Sequence, residues 1–380
     1  MEIEQARWTA NEGWTPAAPG RLAGRAGLVL IFGDRDVLED GRVLKDARRI
    51  YPGAVVTGCS TAGEILGVEV RDGTAALTAF AFARAKVAGA RTDISGTADS
   101  FAAGARLARA LAPEGLTHIL LLAEAPPAVN AGELVKGMMV NLPPGVAVTG
   151  GVAGDGERFE RARVVWDGAA VGGAAAVGFY GAALKVSYSS RGGWDPFGPE
   201  RLITRSRGNV LYELDGQSAL ELYKKYLGDH AGNLPGAAVH YPLALRAKQG
   251  EEGVVRTVLA IDEVEQSMIF AGDVPQGVYA RLMKANYDRL IDGASAAAAL
   301  CREAMGAAPA ELALLISCAG RKMVLGQRVE EELEAVREAL GPGAALSGFY
   351  SYGEIAPFAG GARCELHNET MTITTLSEPA

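Results

Sequence analysis

The chain has 380 residues, 49% of them apolar and 22% charged, with a net charge of −8. Such a length predicts two or three packed units with a real core. Nearly a third of the chain is Ala (67) or Gly (49), yet no G-x-y period runs through it and long aliphatic runs interrupt the small residues, which excludes collagen and low-complexity linkers. Lys and Arg are scattered on a net acidic chain, which argues against nucleic acid as a partner. The stretch from Gly168 to Leu184 is uncharged but mostly Ala and Gly, too weakly apolar to span a bilayer, so no membrane insertion is expected. Four dispersed cysteines without a CxxC pair, and a start lacking a basic and apolar leader, lead to a cytoplasmic expectation.

In chain order, three segments share one plan: an aliphatic run, an amphipathic helix, a Pro/Gly break, a second aliphatic run and a glycine-rich loop. The first runs from Gly27–Gly33 through a helix near Gly41–Tyr51 and Ala54–Thr57 to Gly58-Cys59-Ser60-Thr61-Ala62-Gly63-Glu64-Ile65. The second runs from His118–Leu122 through a helix near Ala131–Leu142 and Val146–Thr149 to Gly150-Gly151-Val152-Ala153-Gly154-Asp155. The third runs from Leu312–Ile316 through a helix near Gln327–Leu340 and Ala344–Ser347 to Gly348-Phe349-Tyr350-Ser351-Tyr352-Gly353-Glu354-Ile355. Val329, Leu333, Val336 and Leu340 form one stripe of that last helix, so it covers a sheet.

Unbroken aliphatic runs joined by helices predict βαβ units with parallel pairing. Ala-rich helices are expected at Ser100–Leu111 and Ser295–Met305. Antiparallel hairpins are expected in Ala75–Val87, Ala174–Ser189, Leu202–Leu214, Val254–Ile261 and Ser267–Gly272. The expected fold is therefore α/β, with duplicated, mostly parallel sheets and antiparallel hairpins. Residues 1–27 form an N-terminal arm, 28–205 a first domain and 206–380 a second.

The glycine-rich loops lack the Lys-Ser or Lys-Thr of a phosphate cradle and carry acids instead, which repel phosphate. Two readings remain for them: plain strand-end turns, or a small-molecule pocket at the carboxyl ends of strands. In the pocket reading, Gly58 offers backbone donors, Thr61, Ser351 and Tyr352 offer hydroxyls, and Glu64 and Glu354 offer carboxyls. Arg321, in Ser317-Cys318-Ala319-Gly320-Arg321, either grips a ligand carboxylate or forms a salt bridge to a helix acid. Cys59 and Cys318 end aliphatic runs, where a thiol nucleophile would need a base, and no histidine lies within twenty residues of either. His240 stands among apolar residues in Val239-His240-Tyr241-Pro242, a setting for a structural imidazole or an axial haem ligand.

The segments Thr57–Ile65, Asn209–Gly216, Tyr241-Pro242-Leu243, Ser317–Arg321, Gly348–Ile355 and Asn368–Thr372 together resemble the FIST family over about residues 28 to 378, in FIST N and FIST C order. That resemblance implies a non-catalytic sensory module of bacterial signal transduction that binds an amino acid or related metabolite. A subset of stand-alone members senses nitric oxide through haem and regulates a separate histidine kinase, which makes haem on His240 the first alternative. A cysteine-dependent hydrolase is the second. The FIST-like regions consume nearly all of the chain, so its output is expected to pass through a partner protein. The loop at Gly154-Asp155 departs from the other two.

Overall fold

The computed structural model describes residues 1–16, 19–248, 253–357 and 364–379. The three aliphatic units fold as three copies of one mixed sheet. In the first, Leu28–Gly33 pairs in parallel with Val55–Ser60 and antiparallel with Ala75–Ala81. In the second, Leu116–Ala123 pairs in the same way with Ala147–Val152 and Ala174–Tyr180. In the third, Leu312–Cys318 pairs likewise with Ala345–Ser351 and Met371–Ser377. Every residue of Leu28–Gly33 and Leu312–Cys318 is buried, as unbroken aliphatic strands covered on both faces require. Each sheet thus has one parallel pair at its centre, with antiparallel strands outside it.

The three sheets exchange strands in a ring. After its parallel pair each unit sends out a short strand that pairs with a neighbouring unit: Glu64–Leu66 of the first lies on Ala345–Ser351 of the third. Gly353–Pro357 of the third lies on Ala147–Val152 of the second, and Val164–Trp166 of the second lies on Val55–Ser60 of the first. A hydrogen bond closes each junction: Ala62 N to Tyr350 O at 2.8 Å, Gly154 N to Ser60 O at 2.9 Å, and Tyr352 N to Val152 O at 3.1 Å. Ala62, Gly154 and Tyr352 therefore hold equivalent places around a pseudo-threefold axis.

The opposite edges close by the same rule. Lys86–Thr92, which follows the first unit, edges the second sheet, and Lys185–Arg191, which follows the second, edges the third. The edge of the first sheet is filled by Glu2–Thr9, so the segment read as an N-terminal arm contributes a strand. Buried side chains from all three sheets meet in one core, where Phe32 and Phe349 lie 4.7 Å apart between ring centroids.

Helices cover the outer faces. Ser100–Ala110 and Ala131–Met139 pack so closely that a Cβ on Gly104 would lie 2.0 Å from Leu134 O, and one on Gly137 1.9 Å from Phe101 O. The small residues there set the interhelical distance. The third helix runs Val329–Leu340 and buries Leu333 and Val336, as its stripe predicts. The helix expected from Ser295 begins earlier, at Tyr287, because Asn286 accepts from Arg289 N and caps it.

Between the second and third units the chain builds a fourth, antiparallel sheet from Arg201–Arg207 to Tyr279–Lys284, with Ala219–Leu227 packed on it around its own core. The boundary placed near residue 205 falls inside its strand Arg201–Arg207.

Candidate functional site

Thr61 and Glu64 stand where the first unit crosses to the third. Thr61 Oγ1 donates to Glu64 Oε1 at 2.6 Å, while the amide and hydroxyl of Thr74 donate to Oε2 at 3.3 and 2.6 Å. In the third unit the arrangement recurs: Ser351 Oγ donates to Glu354 Oε1 at 2.6 Å, and Thr370 N and Oγ1 donate to Oε2 at 3.1 and 2.9 Å. Each carboxyl pins the outgoing strand to the antiparallel strand of its own unit. Burial pushes both up to about 8, against the opposing pull of the hydroxyl donors.

The second unit has Val164 at the corresponding pairing position, opposite Cys59 as Glu64 is opposite Phe349. There Glu124 replaces the clip by accepting from Gly173 N at 3.0 Å and pairing with Arg163 at 2.8 Å. This accounts for the departure of the Asp155 loop in sequence.

Around Thr61 and Glu64 lies a cleft of about 290 Å³ to which all three units contribute. Asp34, Glu64 and Asp72 come from the first unit, Asp155, Glu157 and Arg158 from the second, and Lys322 from the helix Ala319–Leu325 of the third. Lys322 Nζ donates to Ala62 O at 2.8 Å and to Asp72 Oδ1 at 2.5 Å. Gly63, at φ +139°, makes room for it, since a Cβ there would lie 2.8 Å from Nζ. Arg158 reaches Asp36 at 2.8 Å and Asp34 at 3.2 Å. The cleft thus sets acids opposite two cations.

The other expected site residues lie elsewhere. Gly58 is enclosed in its strand, where a Cβ would come within 1.7 Å of Ile31 O, so its role is close strand packing. Ser351 and Glu354 are wholly buried and do not line the cleft. Arg321 is wholly buried, paired with equally buried Glu332 at 2.7 Å. It also donates to Gly192 O and, at 2.8 Å, to Leu290 O. Tyr350 and Ser317 satisfy the other Glu332 oxygen at 2.6 and 3.1 Å. Of the two sequence readings of Arg321, this geometry is the salt bridge to a helix acid.

Tyr352 occupies the place of Ala62 at the next junction. There, between the second unit and the antiparallel sheet, a wide groove of about 1190 Å³ opens. Tyr352 lines it and also reaches the first cleft by donating to Asp155.

Residues that sequence reasoning missed are Asp34, Asp72, Arg158 and Lys322. Lys322 follows Arg321 directly, and one helical step of about 100° turns one cation into the core and the other to the cleft. The sequence signal was the adjacency of the two cations.

His240 ends the turn Gly236–His240, half-buried, and lines neither cavity; burial and nearby His230 lower its pKa. No histidine lines the wide groove among the described residues, so neither space fits a haem held by His240. Cys59 and Cys318 are buried thiols pushed up by desolvation, the opposite of an activated nucleophile. Among the described residues no group of His, Cys, Asp and Glu could hold a metal ion, and no helix is long and apolar enough to cross a membrane.

A mixed α/β chain with several sheets containing parallel pairs, and with a polar cleft at strand ends, has the build of a small-molecule binding protein. The family models for the FIST N domain, over residues 27–217, and the FIST C domain, over residues 219–357, both match the chain. It belongs to the FIST family, whose domains are generally associated with small-ligand sensing in signal transduction. No curated protein matches the chain.

Proposed function

We propose that this protein is a cytoplasmic, non-catalytic sensor that holds an amino acid or a related amine-bearing metabolite in the polar cleft and passes its occupancy to a separate protein, with a histidine kinase as the expected output partner. The observation that carries the reading is the charge arrangement of a cleft built by three units. Asp34 and Asp72 offer acceptors for an ammonium group, and Lys322 and Arg158 offer donors for a carboxylate. A volume of about 290 Å³ suits a ligand of that size. Because each unit supplies part of the wall, an occupant bridges contacts that otherwise rest on protein alone, and binding biases how the units sit together.

The test is a thermal-shift and calorimetric panel of amino acids on the whole chain, with Lys322→Ala and Asp72→Asn beside it. A ligand present at a hundred times its dissociation constant stabilises by about 2.7 kcal/mol. Stabilisation by at least one amino acid, weakened in both variants, is expected. A flat response across the panel sinks the reading.

A further inference from the structure

The wide groove is a second cavity, with chemistry unlike that of the polar cleft. Val129, Val152, Leu245, Val254 and Leu366 give it an apolar wall, and its volume of about 1190 Å³ exceeds that of the cleft about fourfold. Three cations line it. Lys136 is paired with Glu133 at 2.7 Å and Arg246 with Glu200 at 2.8 Å. Arg256 has no ion-pair partner among the described residues.

Arg256 is 7% exposed, and among the described residues its hydrogen bonds all go to backbone oxygens: Nε to Asp273 O at 3.2 Å, and Nη1 to Val255 O at 3.1 Å and Leu366 O at 3.0 Å. Nη2 has no protein acceptor among the described residues. Gly272 leaves space for the guanidinium, since a Cβ there would lie 2.9 Å from Nε. Glu365, Asp273 and Glu354 act on it only through space, and burial lowers it to about 10, so it stays charged at neutral pH. A buried charge without a counter-ion is costly, and an anion that supplies one gains accordingly.

We infer that this groove is a second ligand site, distinct from the polar cleft, and that it takes an amphipathic carboxylate whose head group sits on Arg256 and whose apolar body lies along the Val129, Val152 and Leu245 wall. A guanidinium with a free Nη2 matches a carboxylate oxygen directly. The apolar lining selects against a small, fully polar anion, which would lose hydration without recovering it.

Calorimetry on the whole chain with octanoate and with octanol as probes decides the matter. Octanoate is expected to bind at least about tenfold more tightly than octanol, a difference of about 1.4 kcal/mol. Arg256→Gln is expected to erase that preference and leave octanol binding unchanged. Because Arg256 also ties Leu366 and Asp273, a second variant, Met139→Glu, places an acid at a half-buried position of the same lining and is expected to weaken octanoate about tenfold. Equal affinities for the two probes in the wild-type chain would overturn the inference. So would absence of octanoate binding, or a Met139→Glu protein with an unchanged melting curve and undiminished octanoate affinity.

Discussion

The phenol of Tyr352 donates to Asp155 Oδ1 at 2.5 Å and accepts from Asp155 N at 3.1 Å, across 197 residues of sequence. Tyr352 lines the wide groove and Asp155 lines the polar cleft, so this contact is the wall common to both cavities. The other Asp155 oxygen is held by Arg35 at 3.0 Å and by the amides of Glu160 and Arg161 at 3.1 and 2.9 Å.

Tyr352→Phe keeps the ring, and with it the stack on Phe159 at 4.6 Å, but strands one oxygen of a wholly buried carboxylate. A loss of about 1–2 kcal/mol in urea unfolding is expected. Affinity in the polar cleft should fall as well, because Asp155 is no longer fixed. A variant as stable as wild type would show that water replaces the phenol.

The two clip carboxyls give stability a pH dependence of definite sign. Folded, Glu64 and Glu354 are raised to about 8; unfolded, they return to the ordinary 4.5. Between these limits the folded chain binds the extra protons, so stability is full below about pH 4.5 and falls as pH rises toward 8, by at most about 1.4 kcal/mol per pH unit and per carboxyl. Glu369, raised to about 7 by burial, adds to the same trend. Urea midpoints measured from pH 5 to 8 should decline, and the decline should shrink in Glu64→Gln with Glu354→Gln. A midpoint that rises with pH would mean that the clips are ionised when folded.

Gly58, Gly150 and Gly348 hold one equivalent place in the three sheets, where a Cβ would come within 1.7, 1.8 and 1.8 Å of Ile31 O, Leu121 O and Leu315 O. Alanine at any of them forces a strand away from its parallel partner, with an expected cost of at least about 4 kcal/mol. Gly53→Ala, where nothing lies within 4 Å, is the control and should stay within about 0.5 kcal/mol of wild type. If Gly58→Ala folded normally and lost only ligand binding, Gly58 would be a binding residue after all.

Those glycines mark what was legible in the sequence. The three-unit plan could be read because each unit repeats an aliphatic run, a helix, a second run and a glycine at one offset, all local features. The ring of exchanged strands could not. Glu64–Leu66, Val164–Trp166 and Gly353–Pro357 are too short to carry a pairing preference, and their partners lie far along the chain. At the site, Glu64 was legible because the first and third loops match at two glycines, a Glu and an Ile, and Thr61 because it places a hydroxyl in the first of those loops. Asp34, Asp72 and Lys322 were not, because each unit supplies different residues to the cleft and no repeat links them. Arg256 lies in the antiparallel sheet, where alternation shows which face is buried but not that a cavity opens beside it.

Arg321 and Glu332 supply the last prediction. Both are wholly buried and each satisfies the other, with Leu290 O, Gly192 O, Tyr350 and Ser317 taking the remaining positions. Arg321→Met leaves an uncompensated carboxylate and frees two carbonyls, at an expected cost of about 3–5 kcal/mol. Adding Glu332→Gln removes the stranded charge and should recover part of that loss, a coupling that a double-mutant cycle in urea measures directly. Ligand affinity in the polar cleft, measured on whichever variant remains folded, should be unchanged, because Arg321 does not line it. Loss of affinity without loss of stability would instead give Arg321 the carboxylate-holding role that its place in Ser317–Arg321 first suggested.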